Sequence, residues 1–231
     1  LQSRGCISKK NGEGMYKHGE NLKLLDEGSI FIADSVVIGK DVTIYERNRI
    51  EGNTVIGDGA VILPGNYIVD TVIGRNTTFN QSQSEGASVG DGVYVGPFAR
   101  LRPGAKILDG AKIGNFVEIK NATVGEGTKV SHLAYVGDAD LGGGCNIGCG
   151  AIFVNYDGKS KHRTTVGDNC FIGSNCNIIA PVTIENNSYI VAGTTVTDRV
   201  LEDDFVIGRV RAERKPGRAH KYLKHFINPK E

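Results

Sequence analysis

The sequence predicts an all-β chain wound as a left-handed parallel β-helix of hexapeptide repeats, and three observations predict it. An isoleucine, valine or leucine returns every sixth residue, first in the unbroken run Ile32, Ile38, Ile44, Ile50, Ile56, Ile62, Ile68. A small residue usually stands two places earlier, as Thr54, Ala60, Ala99, Ala105, Ala111, Thr128 and Ala151 do. The 231 residues include 32 Gly, only 8 Phe and no Trp, so a bulky aromatic core is not on offer. A period of six fits neither a 3.6-residue helix nor an alternating strand. A fixed short repeat instead marks a solenoid, in which each coil buries its apolar side against the next. Three hexads make one triangular coil, with an aliphatic residue pointing inward from each flat side.

Taken in order, residues 1–27 are polar, rich in Gly and Lys and without rhythm, and read as a loose lead-in. Met15 is the only methionine, so a chain starting at Leu1 is expected to be processed or cut from something longer. Residues 28–200 carry the hexads. After Ile68 they resume as Val89, Val95, Leu101, Ile107, Ile113, Ile119, then Val124, Val130, Val136, then Leu141, Ile147, Phe153. They close with Val166, Ile172, Ile178, Ile184, Ile190, Val196. Residues 201–231 leave the rhythm after Asp203 and Asp204 and turn basic, with a short helix expected around 219–227.

The formal net charge is +1, so nothing invites a nucleic-acid partner. No apolar stretch is long enough to span a membrane and no signal peptide is evident. The five cysteines fit a reducing, cytoplasmic setting. Cys145, Cys170 and Cys176 occupy the small inward slot before Ile147, Ile172 and Ile178, so packing explains them. Cys6 lies in the polar lead-in, Cys149 alone invites a second reading, and no spacing suggests a metal.

Breaks in the rhythm matter because hexads are scaffold and insertions carry function. The step is five at Ile68–Ile73, Ile119–Val124 and Val136–Leu141, and ten from Phe79 to Val89. It is thirteen from Phe153 to Val166, which inserts a loop running from Asn155 to Arg163. That loop is either a tolerated surface insertion or a binding surface. Its mixture of Asn, Tyr, Asp and cations favours the second.

Residues three hexads apart stack on one face, about 4.8 Å apart. Arg102 after Leu101 and Lys120 after Ile119 are so related, and stacked like charges are unfavourable unless an anion neutralises them. Glu118 and Tyr135 share that face, and the inserted loop leaves it after Phe153. The next column, two past Ile113, Val130, Ile147, Ile172 and Ile190, reads Asn115, His132, Cys149, Ser174, Ala192. Small side chains in register leave a groove for a long thin ligand. A lone histidine is more often structural, but His132 points outward beside a cation pair, which suits acid–base chemistry. The other histidines, His162 on the loop and His18, His220 and His225 in the tails, form no metal set.

The runs Phe98–Gly104, Gly114–Lys120, Ser131–Ala139, Asn146–Gly150, Asn155–Lys159 and Ala180–Thr183 resemble one family. They are similar to the acetyltransferase half of the bacterial N-acetylglucosamine-1-phosphate uridyltransferase/glucosamine-1-phosphate acetyltransferases, from about residue 28 to 213. The resemblance implies acetyl transfer from acetyl-CoA to the amine of glucosamine-1-phosphate, for UDP-N-acetylglucosamine and cell-wall precursors. It implies His132 as general base with Glu118 orienting it. Arg102, Lys120 and Lys161 would hold the phosphate, and Tyr135 and Asn146 the sugar. Cys149 (through its N–H), Asn155, Tyr156, Ser174, Ala192 and Arg209 would line the acetyl-CoA site, with no metal. It further implies a homotrimer with shared active sites, Lys161 coming from a neighbour.

Nothing in the chain resembles the family's nucleotidyltransferase domain, so uridyltransferase activity is not expected. A stand-alone enzyme and an excised half both remain open. Two rival readings are an acetyltransferase for another amino or hydroxy sugar and a non-catalytic trimeric scaffold.

Overall fold

The computed structural model describes residues 6–7 and 16–223. Within them, strands of two to four residues stack into three sheets of ten, eleven and eleven strands. The sheets are the three faces of a parallel solenoid, consistent with the left-handed β-helix expected. One coil runs Arg100–Leu101 on the first face, Lys106–Ile107 on the second and Lys112–Asn115 on the third. The next runs Glu118–Lys120, Thr123–Val124 and Lys129–His132, and pairs with it strand for strand.

The hexads explain this arrangement. Each aliphatic residue is buried, and those of one face stand in register, as Ile113, Val130, Ile147, Ile172 and Ile190 do on the third. Burying one such side chain is worth about 1.5–3 kcal/mol, an upper figure because unfolded chains are partly compact. A side chain added at Gly114 would run into the Ser131 carbonyl of the next coil. Glycine there permits the close backbone approach that aligns Asn115 with His132. No helix among the described residues is long and apolar enough to cross a membrane.

Three expectations change. The ten-residue step from Phe79 to Val89 is no insertion: Ser84 takes the inward slot, in register with Ile68 and Leu101. Its hydroxyl is satisfied by Thr71 Oγ1 at 2.9 Å, which is why a polar residue is tolerated there.

Pairing also starts inside the expected lead-in. Lys17–His18 lies on the second face and Lys23–Leu24 on the third, with Tyr16 buried and Leu24 against the core. It continues past residue 200, where Phe205–Val206 extends the third face. Beyond that the described tail has only a 3-10 turn, Arg218–Lys221, in place of the expected helix, which extends outside the described residues. The Cys6–Ile7 strand pairs antiparallel with Lys17–His18.

Candidate active site

Coil geometry divides the expected site residues between two faces. Arg102, Glu118, Lys120 and Tyr135 lie on or just after first-face strands, one above another. His132, Asn146, Cys149, Ser174 and Ala192 belong to the third-face stack. The two sets flank the corner at Leu133, between strands Lys129–His132 and Tyr135–Gly137.

On the third face, Asn115 and His132 are direct partners in adjacent coils, and His132 Nδ1 meets Asn115 Oδ1 at 2.6 Å. A carbonyl oxygen accepts, so Nδ1 carries the hydrogen, and in the neutral ring the lone pair then lies on Nε2. Sequence reasoning placed Asn115 in this column without assigning it that role. The two residues line a groove of about 500 Å³ with Tyr94, Lys112 and Ser131. Above His132 the column continues through Cys149, Ser174 and Ala192, all exposed, with Arg209 reaching beside Gly193 at its end. Gly148 and Gly150 donate their N–H groups to Ile172 and Leu133. Among the described residues, the Cys149 N–H is the donor this turn leaves uncommitted.

On the first face, Arg102 Nη1 donates to Glu118 Oε1 at 2.8 Å, and that contact holds the guanidinium above its usual range. Glu118 therefore engages Arg102, and the partner of His132 is Asn115 rather than the expected Glu118. The strand register explains the change: Glu118 lies opposite Tyr135, not His132. Tyr135 folds over Gly137, the coil neighbour of Lys120, where any side chain would collide with the phenol.

The inserted loop closes on its own subunit. Tyr156 and Lys161 form an antiparallel bridge, and His162 N donates to Asn155 O at 2.8 Å. Asp157 Oδ1 accepts from the Lys159 and Ser160 N–H groups, each at 2.7 Å, and Oδ2 meets His162 Nε2 at 2.7 Å. These bonds hold the Asp157 carboxyl well below the usual range. The tight turn brings Lys161 back to Lys120 of the same chain. That contact, then burial, then the neighbouring positive charge hold the Lys120 ammonium below its usual range. The resemblance places Lys161 in a neighbouring copy's site; within one chain the Tyr156–Lys161 bridge turns it back toward Lys120.

Asn155, expected at a cofactor surface, is buried and donates its amide to Asp138 Oδ2. Asn121 Nδ2 donates to Asp138 Oδ1 at 2.6 Å. Burial pushes the Asp138 carboxyl up, but these two bonds and the Lys120 and Lys161 charges outweigh it and hold the carboxyl low. Tyr156 is exposed, with its hydroxyl donating to Gly158 O at 2.8 Å. Arg163 clamps the loop's far end through paired 2.5 Å bonds to Asp140.

Comparison with known proteins gives a match to the bacterial transferase hexapeptide (six repeats) family over residues 86–121 and 163–198. The bifunctional protein GlmU of Clostridium acetobutylicum is 47% identical over 202 residues, 87% of this chain and 44% of that protein. That of Clostridium novyi is 49% identical over 196 residues, 84% of this chain and 43% of that one. The chain thus spans less than half the length of these relatives. A UDP-N-acetylglucosamine acyltransferase from Campylobacter jejuni superposes with a TM-score of 0.44 at 22% identity, over 78% of this chain and 69% of that one. That score is too low to bear on function.

Proposed function

We propose that this hexapeptide-repeat chain, similar over most of its length to the bifunctional GlmU proteins, is a glucosamine-1-phosphate N-acetyltransferase that uses acetyl-CoA. The observation that carries the reading is the pairing of an outward His132, polarised by Asn115 at 2.6 Å, with three clustered cations on the adjoining face.

An ammonium cannot attack a thioester. The sugar amine therefore reacts in its neutral form, having released one proton to solvent, and His132 Nε2 takes a second proton from the nitrogen as it adds to the acetyl carbonyl. The C–N bond forms, the C–S bond breaks, and the leaving thiolate takes the proton back from the imidazolium. Such acid–base help is worth about 10²–10⁴-fold. The uncommitted Cys149 N–H would stabilise the oxyanion. The small column Cys149, Ser174, Ala192 would seat the pantetheine arm, with Arg209 at its far end and Tyr156 on the loop. Arg102, Lys120 and Lys161 would hold the phosphate and fix the amine in place, which is positioning rather than chemistry. Tyr135 and Asn146 would contact the sugar.

Asn146 and Tyr135 stand on different faces of one chain, which favours a homotrimer whose sites form between the first face of one copy and the third face of the next. Phe98, Phe116 and Leu133 support this reading. They project at the corner beside His132, 49%, 56% and 57% exposed, in the left-handed backbone region that bulky residues avoid. A neighbouring copy would cover them. On this reading the enzyme works in the cytoplasm, where acetyl-CoA is made. The test is release of CoA thiol from acetyl-CoA on addition of glucosamine-1-phosphate. His132→Ala should lower that rate by at least about a hundredfold with the fold intact. A variant as fast as the parent removes His132 as base.

A further inference from the structure

We propose that Asp138 is a positioning residue for the phosphate end of the site: a buried anion that holds Lys120 and Lys161 together and ready for an incoming phosphate. It rests on the sugar-phosphate reading given above.

Asp138 is only 8% exposed, at a corner with φ 48°, and lies one coil from each of the segments it joins. Its N–H donates to Lys120 O at 3.0 Å, fixing the backbone of the first lysine. Its carboxylate accepts from Asn155 at the start of the inserted loop, and its carbonyl accepts from Thr164 N, at the loop's end, at 3.1 Å. One residue therefore grips Lys120 and both ends of the loop that carries Lys161. Charge explains why the gripping group is a carboxylate. Lys120 faces Lys161 and Arg102, all of one sign, while Glu118 is engaged by Arg102 and Asp140 by Arg163. That leaves Asp138 as the carboxylate acting on both lysines. Without it, two ammonium groups in contact would repel and Lys161 would swing out with its loop.

A nearby carboxylate also repels phosphate, so two effects of opposite sign compete. Asp138 is turned inward, with an Asn amide on each oxygen, so its charge is partly satisfied and faces away from the open surface. The loss of lysine placement outweighs the relief of repulsion. Asp138→Asn keeps the shape and suits the left-handed corner, because Asn tolerates positive φ. Asn121→Gly also tolerates its own corner, at φ 44°, and removes one hydrogen bond while keeping the charge.

The experiment measures binding of inorganic phosphate and of glucosamine-1-phosphate to the full chain by calorimetry, alongside steady-state kinetics. Asp138→Asn should weaken both ligands and raise the sugar-phosphate KM by about tenfold, the scale of one charge-assisted contact. The KM for acetyl-CoA and kcat should stay within about threefold, and Asn121→Gly should match the parent within that range. Tighter or unchanged phosphate binding in Asp138→Asn overturns the proposal, since repulsion would then dominate. So does a loss shared equally by kcat and both KM values, or an equal loss in Asn121→Gly, the mark of a structural role. If the parent binds phosphate but acetylates no sugar phosphate, the functional reading falls while weaker phosphate binding in Asp138→Asn still supports the Asp138 assignment. A parent that binds neither ligand overturns both.

Discussion

Replacing Asn155 by alanine tests how the inserted loop is held. The side-chain amide is lost, leaving Asp138 with Asn121 alone. A hydrogen bond to a charged group contributes about 1.5–3 kcal/mol, and Asp138 is buried enough to feel the whole of it. For a domain of this size each kcal/mol moves Tm by about 2–4 °C, so a cooperative melt should fall by roughly 3–12 °C at neutral pH.

The sign with pH follows from Asp138, whose carboxyl is held low in the folded chain. Its contribution is fully present above the unfolded carboxyl pKa of about 3.9 and is lost as pH falls through the lower folded value. The gap between variant and parent should therefore close in acid. Trypsin cleavage after Lys159 and Lys161, both on the exposed loop, provides a local readout and should speed up in the variant. An unchanged melt together with unchanged loop cleavage would refute the latch. A gap that widens in acid would refute its electrostatic origin.

Cys149 is exposed while Cys145, Cys170 and Cys176 are buried, so a thiol reagent should label one of these four quickly. Acetyl-CoA should slow that labelling, and its failure to do so would place the cofactor elsewhere. Gly114→Ala forces a methyl against the Ser131 carbonyl beneath the Asn115–His132 pair. It should lower both Tm and turnover, and a silent variant would mean that the close approach is not needed. A His132→Ala chain mixed with a Lys120→Ala/Lys161→Ala chain should regain about a quarter of parental activity by random assortment in a trimer with shared sites. No recovery would confine each site to one chain.

The coils were legible because burial imposes their period. Ile113, Val130 and Ile147 could each be assigned to one face by counting alone. Ser84 was hidden, since a polar residue in the core slot carries no hydrophobic signal until Thr71 is seen to satisfy it. Leu24 was hidden too, because it lies off the six-residue beat. The cofactor-side column was readable by counting, and with it Asn115, which stands one coil below His132.

Asp138 was readable in principle. Its partners Asn121 and Asn155 lie 17 residues to either side, one shortened coil each way. Nothing in its local sequence marks it, so only counting by whole coils would have found it. The path of Lys161 was not readable, because a thirteen-residue step fixes length but not the Tyr156–Lys161 bridge that turns the loop back.

The central claim is that the cation cluster selects a phosphorylated amino sugar for acetyl transfer. The most direct measurement compares kcat/KM for glucosamine-1-phosphate and for glucosamine, with acetyl-CoA saturating. Charge-assisted contacts from the two lysines alone, at about 1.5–3 kcal/mol each, predict a preference of at least roughly 10²–10⁴ for the phosphorylated sugar. Equal values for the two sugars, in a chain that turns over acetyl-CoA, would contradict it.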